Sequence, residues 1–210
     1  MEHLLSARED ESRDNQLTVA HLLDAAGGSE DNLLASTSLR LTGLSLSSGL
    51  DCLELVTSLT TLYLNDNHLT SLIGIEVLSR LKFLDISFNR LGSIAPCEAL
   101  HQLQFLDARS NAIAEVRSQE GVLALPPSLR ILNLSGNPCC RLPEYRQQAL
   151  LLLPSLVELD KEPTPSAQAQ PRAPGGGGGG SAEEGSSLSA IAAGALERSR
   201  ARQAADKGGQ

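Results

Sequence analysis

Large rings are almost missing from this chain: aromatic residues make up 2% of its 210 positions, two tyrosines and three phenylalanines, with no tryptophan. Hydrophobic residues still reach 41%, so any core must be aliphatic. A compact core of this size normally fills its centre with some rings. An aliphatic one is better suited to short units stacked side by side, each touching only its neighbours. A basic stripe is missing too. The net charge is −8, from 25 acids against 17 lysines and arginines, and nothing is placed to neutralise a run of phosphates, which argues against nucleic acid as the main ligand. Much of the acidic excess lies in residues 1–35, with eight acids and two arginines. No apolar run approaches the ~20 residues that cross a bilayer, and no leader-like series of basic, apolar and cleavage regions opens the chain. The expected compartment is therefore the reducing cytoplasm, with no membrane partner. The four cysteines, Cys52, Cys97, Cys139 and Cys140, contain no C-x-x-C pair, and no histidine spacing completes a zinc site. No cofactor, metal or small-molecule substrate is expected. The vicinal Cys139–Cys140 pair has three readings: a soft-metal ligand, a strained disulfide, or two plain thiols in a loop.

What is present is leucine at a fixed beat. The pattern L-x-x-L-x-L-x-x-N-x-L-x-x-L begins at Leu59 (then Leu62, Leu64, Asn67, Leu69, Leu72) and again at Leu81 (Leu84, Ile86, Asn89, Leu91, Ile94). It returns at Leu103 (Leu106, Ala108, Asn111, Ile113, Val116) and at Leu129 (Leu132, Leu134, Asn137), with starts 22, 22 and 26 residues apart. In Leu62-x-Leu64 both leucines point to one side of a short strand and the intervening residue to the other. Asn67, Asn89, Asn111 and Asn137 stand where the chain leaves the strand, and each is expected to bond the turn and the next coil. One unit cannot cover its own apolar side, so the units must stack, with parallel strands about 4.8 Å apart. The fold class predicted is an α/β repeat solenoid, a leucine-rich repeat of about five coils with a parallel concave sheet and helical caps. The extra residues before Leu129, with Pro126–Pro127, read as a bulged return loop.

Five segments follow. Residues 1–16 form an acidic arm. Residues 17–36 form a helical cap, with Thr18 starting a short helix and Gly27–Gly28 ending it. Residues 37–160 hold the repeats, from a degenerate first coil around Leu39 and Leu41 to a closing cap. In that cap a helical run over 147–153 precedes a last short strand from Leu156 and Leu159. Residues 161–186, rich in proline and carrying six glycines from Gly175 to Gly180, read as a flexible linker; Thr164 before proline is a candidate phosphorylation site. The glycine run lacks the G-K-[ST] ending of a phosphate-binding loop. Residues 187–210 read as disordered or weakly helical in isolation, able to fold on a partner.

The 22-residue period resembles the leucine-rich-repeat class of the protein-phosphatase-1 regulator and dynein light chain 1. The ending from Asn137 to Asp160, N-P then Y-R then L-P-x-L-x-x-L-D, is similar to the C-terminal cap of that class. The opening Leu17-Thr18 and Leu22-Leu23 resembles the N-terminal helix of its ciliary members. This resemblance covers residues 17–163. It implies a non-enzymatic scaffold that binds other proteins, cytoplasmic or in the axoneme of a cilium or flagellum. The alternative it implies is a regulatory subunit of a phosphatase or another cytoplasmic enzyme.

Residues between and after the paired leucines face away from the core, and that concave face is where a partner protein is expected. Its candidates are Tyr63, Asn65 and His68 from one repeat, Phe83, Asp85, Phe88 and Arg90 from the next, then Phe105, Asp107, Arg109 and Asn133. All three phenylalanines fall here, as a recognition strip would place them. The competing reading is that Phe83 and Phe105 tuck against neighbouring coils. Catalysis finds little support: His68 and Asp66 share an edge without a nucleophile. Asp85 and Asp107, one coil apart, have the spacing to share a proton or a cation, or to be a hydrated pair relieved by Arg90 and Arg109.

Overall fold

The computed structural model describes residues 15–114 and 125–169. Six strands lie side by side in chain order and all parallel: β1 (Ser38–Arg40), β2 (Thr61–Tyr63), β3 (Phe83–Asp85), β4 (Phe105–Asp107), β5 (Ile131–Asn133) and β6 (Glu158–Leu159). A seventh, β7 (Glu162–Pro163), closes the sheet antiparallel to β6. The register is set by leucine. Leu39, Leu62, Leu84, Leu106, Leu132 and Leu159 are successive partners, none more than 1% exposed. Two residues on, Leu41, Leu64, Ile86, Ala108 and Leu134 form a second column, each fully buried. A slip of one residue would turn both columns to solvent, so the register tolerates no drift.

The return segments are 3-10 turns rather than α-helices: Asp51–Val56, Ile75–Val77 and Ala95–Ala99. An α-helix is about 10–12 Å wide and the strands about 4.8 Å apart, so full helices would splay the stack, whereas the narrower 3-10 turn fits a short period. Leu53, Val56, Ile75 and Cys97 point inward from these turns to complete the aliphatic cluster. Gly74 (φ +100°) is required where two coils meet: a Cβ there would lie 3.0 Å from the backbone carbon of Leu50.

The four asparagines hold neighbouring coils together. The Asn67 amide nitrogen donates to Leu64 O of its own coil at 2.9 Å and to Leu41 O of the coil before at 2.8 Å. Asn89 reaches Ile86 O and Leu64 O, and Asn111 reaches Ala108 O and Ile86 O, all at 3.0 Å. Asn137 donates to Leu134 O at 2.7 Å and Ala108 O at 2.9 Å. Their oxygens accept from Leu46 N, Leu69 N, Leu91 N and Ile113 N at 2.9–3.1 Å. The amides thus reach back to the preceding coil, not forward as spacing alone implied. The first coil has Leu44 where the others have asparagine, and no coil stands before it to be tied.

Both ends are closed. At the N-terminus α1 (Val19–Ala25) starts on Thr18, whose hydroxyl accepts from His21 N while the Thr18 N–H donates to His21 Nδ1 at 3.2 Å, a reciprocal box with histidine in place of the usual glutamate. The cap contains a second helix, α2 (Glu30–Ala35), that periodicity did not reveal; its first turn carries Glu30 and Asp31, favoured at a helix N-terminus. Leu17, Leu22 and Leu33 from this cap cover the first coil. Asn15 and Gln16, assigned to the acidic arm, in fact join the fold: Ser47 N donates to Asn15 O at 2.8 Å and Gln16 bridges to Ser48. At the other end α3 (Tyr145–Leu152) lies across the open core, burying Tyr145 and Ala149.

The reading of a linker from residue 161 is corrected by the structure. Asp160 and Lys161, both at positive φ (53° and 68°), make the tight turn into β7. Arg146 then clips the hairpin, donating to Leu159 O at 3.3 Å and Pro163 O at 3.0 Å and pairing with Glu162 at 3.1 Å. The Thr164 hydroxyl donates to Leu156 O, its N–H donates to Val157 O, and the residue is 1% exposed. It is a buried latch in the folded cap, not a free phosphorylation site. A short helix, α4 (Pro165–Ala169), follows. Proline-rich composition misled because one strand pair and one buried hydroxyl suffice to hold this stretch. The arm over 1–14, residues 115–124 of the bulged loop, and the linker and tail beyond 169 lie outside the described residues.

Candidate functional site

The outer face of the sheet is built from three rows. In the first, Phe83 and Phe105 stack almost parallel, with centroids 4.4 Å apart and planes 5° off. Tyr63, from the second row, tilts against Phe83 at 5.1 Å and carries the Arg40 guanidinium 4.2 Å above its ring. Phe83 is 1% exposed and Phe105 5%. Of the two readings for these rings, the structure shows the packed one: they meet their counterparts in the next coil.

Asp85, Asp107 and Asn133 stand in the second row and are direct partners across β3, β4 and β5. Each does the same local job. Asp85 Oδ1 accepts from Ser87 N at 3.0 Å and Ser87 Oγ at 2.6 Å. Asp107 Oδ1 accepts from Arg109 N at 3.1 Å, and Asn133 Oδ1 from Ser135 N at 3.1 Å and Ser135 Oγ at 2.7 Å. These are Asx turns that fold the chain away from each strand. This role was missed in the sequence, although the signal, Asp or Asn followed two residues later by Ser in two of the three coils, is present there. Arg109 Nε lies 3.6 Å from Asp107 Oδ2, and Asn133 Nδ2 donates to the same oxygen at 3.4 Å. Burial and the charge of Asp85 push the Asp107 carboxyl up to about 7 against the pull of Arg109, and burial raises Asp85 as well. The pair therefore holds close to one proton at neutral pH, which leaves its second charge short of cations.

The third row supplies the exposed part. One residue before each asparagine column position the backbone enters the left-handed region: Gly43 (φ 71°), Asp66 (58°), Phe88 (55°), Ser110 (53°) and Gly136 (80°). Glycine, aspartate and serine suit that place, but phenylalanine does not. Phe88 is 38% exposed, with the Arg109 guanidinium 5.2 Å from its ring centroid. Asp66 is also exposed and Asn65 half-buried; Asn65 donates to Asp66 Oδ2 at 2.5 Å and accepts from the Thr42 hydroxyl at 2.9 Å. Tyr63, Asp107, Arg109 and Asn133, expected at the contact surface, are all under 10% exposed. His68 and Arg90 are exposed but sit past the asparagines, on the turn where their N–H groups bond Leu46 O and Leu69 O, off the sheet face. The structure thus brings Asn65, Asp66, Asp85 and Phe88 to one accessible border and leaves His68 and Arg90 outside it. Among the described residues no helix is long and apolar enough to cross a membrane, and no group of three His, Cys, Asp or Glu side chains is placed to hold a metal.

In-register leucine columns, backward-reaching asparagines and capped ends define a leucine-rich-repeat protein, and residues 57–96 match the family model of Leucine Rich repeats (2 copies). Among curated proteins the chain resembles leucine-rich repeat-containing protein 46 of Rattus norvegicus and of Mus musculus, each 54% identical over 39 residues. That stretch is 19% of this chain and spans 12% of either relative's length. Among solved structures, a chain of the crystallised Drosophila melanogaster SNF/U2A′ complex matches with a TM-score of 0.53 and 26% identity, over 60% of this chain and 73% of that one.

Proposed function

We propose that this chain is a non-enzymatic scaffold that binds another protein along the outer face of its sheet, with Phe88 as the apolar anchor. The observation that carries the reading is the cost of Phe88. A non-glycine side chain in the left-handed region costs roughly 1–2 kcal/mol, and its exposed ring recovers nothing by burial within the fold. Glycine occupies the same position in two other coils, so the fold does not need the ring. A partner would. An aromatic held rigid at the border of a sheet, with Asp66 and the half-buried Asp85 beside it, fits an apolar contact flanked by a basic side chain. The partial likeness to leucine-rich repeat-containing protein 46 and the ciliary character of the cap signatures support an axonemal setting for that partner.

Phe88→Gly tests this. The variant should unfold at the same or a higher denaturant concentration, gaining about 1 kcal/mol from relieved backbone. In proximity labelling from ciliated cells, recovery of axonemal neighbours should fall at least tenfold against wild type. Equal recovery by both proteins, or a wild-type set without axonemal proteins, sinks the proposal.

A further inference from the structure

We infer that Cys139 and Cys140 form a two-thiolate site for a soft acceptor of low coordination number, a monovalent d10 cation or a trivalent arsenical. Both lie on the 3-10 turn Pro138–Arg141 that follows the last ladder asparagine. Cys139 is fully buried in the aliphatic cluster and Cys140 is half-buried at its edge. One sulfur is thus reachable from solvent, and the other waits behind it, shielded from competing water.

The backbone favours a bridging atom over a disulfide. Cys139 N donates to Ile113 O at 2.9 Å, Cys140 N to Asn137 O at 3.2 Å, and Leu142 N to Cys139 O at 3.1 Å. Adjacent residues across a trans peptide keep their Cα atoms about 3.8 Å apart, inside the 4.4–6.8 Å range that disulfides usually need. Closing an S–S bond would break the turn that these bonds hold. An atom bound at about 2.3 Å to each sulfur accepts sulfur separations up to roughly twice that length and leaves the backbone alone. Soft thiolate pairs select low-coordinate d10 ions, whereas a tetrahedral ion lacks further ligands among the described residues.

The protons can leave without orphaning a buried group. Cys140 Sγ donates to Leu134 O at 3.0 Å, but that carbonyl also accepts from Asn137 Nδ2 at 2.7 Å and Asn137 N at 3.1 Å. Donation from the Cys139 thiol to the Cys140 sulfur holds Cys140 near 7, against burial and the charge of Asp160. Cys140 is therefore partly thiolate at neutral pH and attacks first. With phenylarsine oxide two As–S bonds form, and the arsenic-bound oxygen leaves as water with both thiol protons. Arsenic stays trivalent and nothing is oxidised. A monovalent cation instead displaces both protons to solvent.

The test uses the full chain with one equivalent of phenylarsine oxide in a large excess of mercaptoethanol, read by intact mass. Wild type should keep one phenylarsenic group in place of two hydrogens and lose it to dithiothreitol. Cys140→Ser, at the half-exposed position, should retain at least tenfold less adduct while keeping the wild-type circular dichroism; Cys139→Ala should do the same. Cys52→Ser should bind as wild type. Preloading with Cu(I), but not Zn(II), should block the arsenical, which extends the site from the arsenical to the cation. An adduct that mercaptoethanol washes away, or one that persists in Cys140→Ser, overturns the inference.

Discussion

Inside the stack, strand N–H groups meet backbone oxygens of the next coil: Leu64 N donates to Asp85 O, Ile86 N to Asp107 O and Ala108 N to Asn133 O, at 2.8–2.9 Å. At the C-terminal end Leu134 N instead donates to the carboxylate of Asp160 at 2.6 Å, and the Tyr145 hydroxyl donates to the other oxygen at 2.7 Å. A repeating interior can rely on the main chain because another coil always follows. The last coil has none, so a side chain imitates the missing carbonyl and a tyrosine holds it in place. The two regions also differ in redundancy. Leu64 O receives both Asn67 and Asn89, and Ile86 O receives both Asn89 and Asn111, whereas Asp160 has no such duplicate.

That contrast has a direct consequence for mutation. Asp160→Ala should cost about 2–5 kcal/mol, because it strands a strand N–H and a buried hydroxyl at about 1–3 kcal/mol each. Hydrogen exchange should show the loss first in residues 125–169. Uniform loss along the chain would erase the distinction between cap and coil. Asn89→Ala should cost less, about 1–3 kcal/mol. Leu69 N loses its acceptor, but both carbonyls keep the amide of a neighbouring asparagine. A larger cost than that of Asp160→Ala in urea unfolding would reverse the ranking.

The smallest expected effect concerns the outer face. Asp107 is raised to about 7, first by burial and then by Asp85, while an unfolded aspartate titrates near 3.9. The folded state binds the extra proton, so this contribution is fully present below about pH 4 and is lost as pH rises through 7. Asp107→Asn copies Asn133 of the next coil and keeps its turn. Its Tm should match wild type near pH 4 and exceed it at pH 8. Parallel Tm profiles for the two proteins would contradict the raised carboxyl.

The coils were legible in the sequence because each column repeats one residue type for one reason: a leucine that must be buried, or an asparagine that must bond backbone. The first coil, with Leu39 and Leu41 but no asparagine, was legible through the leucines alone. The caps were less so. Six residues, Glu30–Ala35, are too few to show a period, and the hold on Thr164 depends on Leu156 and Val157, which composition cannot see. On the outer face the sequence identified which residues share a side but not which stay accessible. Phe83 and Phe105 pair only with each other's coil, Asp85 and Asp107 are occupied by local turns, and the left-handed backbone of Phe88 has no signature in its own side chain.

The stacked-coil account is tested most directly by the exchange of the asparagine side-chain amides, read by NMR. Those of Asn67, Asn89, Asn111 and Asn137 should exchange at least tenfold more slowly than that of half-buried Asn65, because each donates to two buried carbonyls. Equal rates for all five would show that no ladder joins the coils.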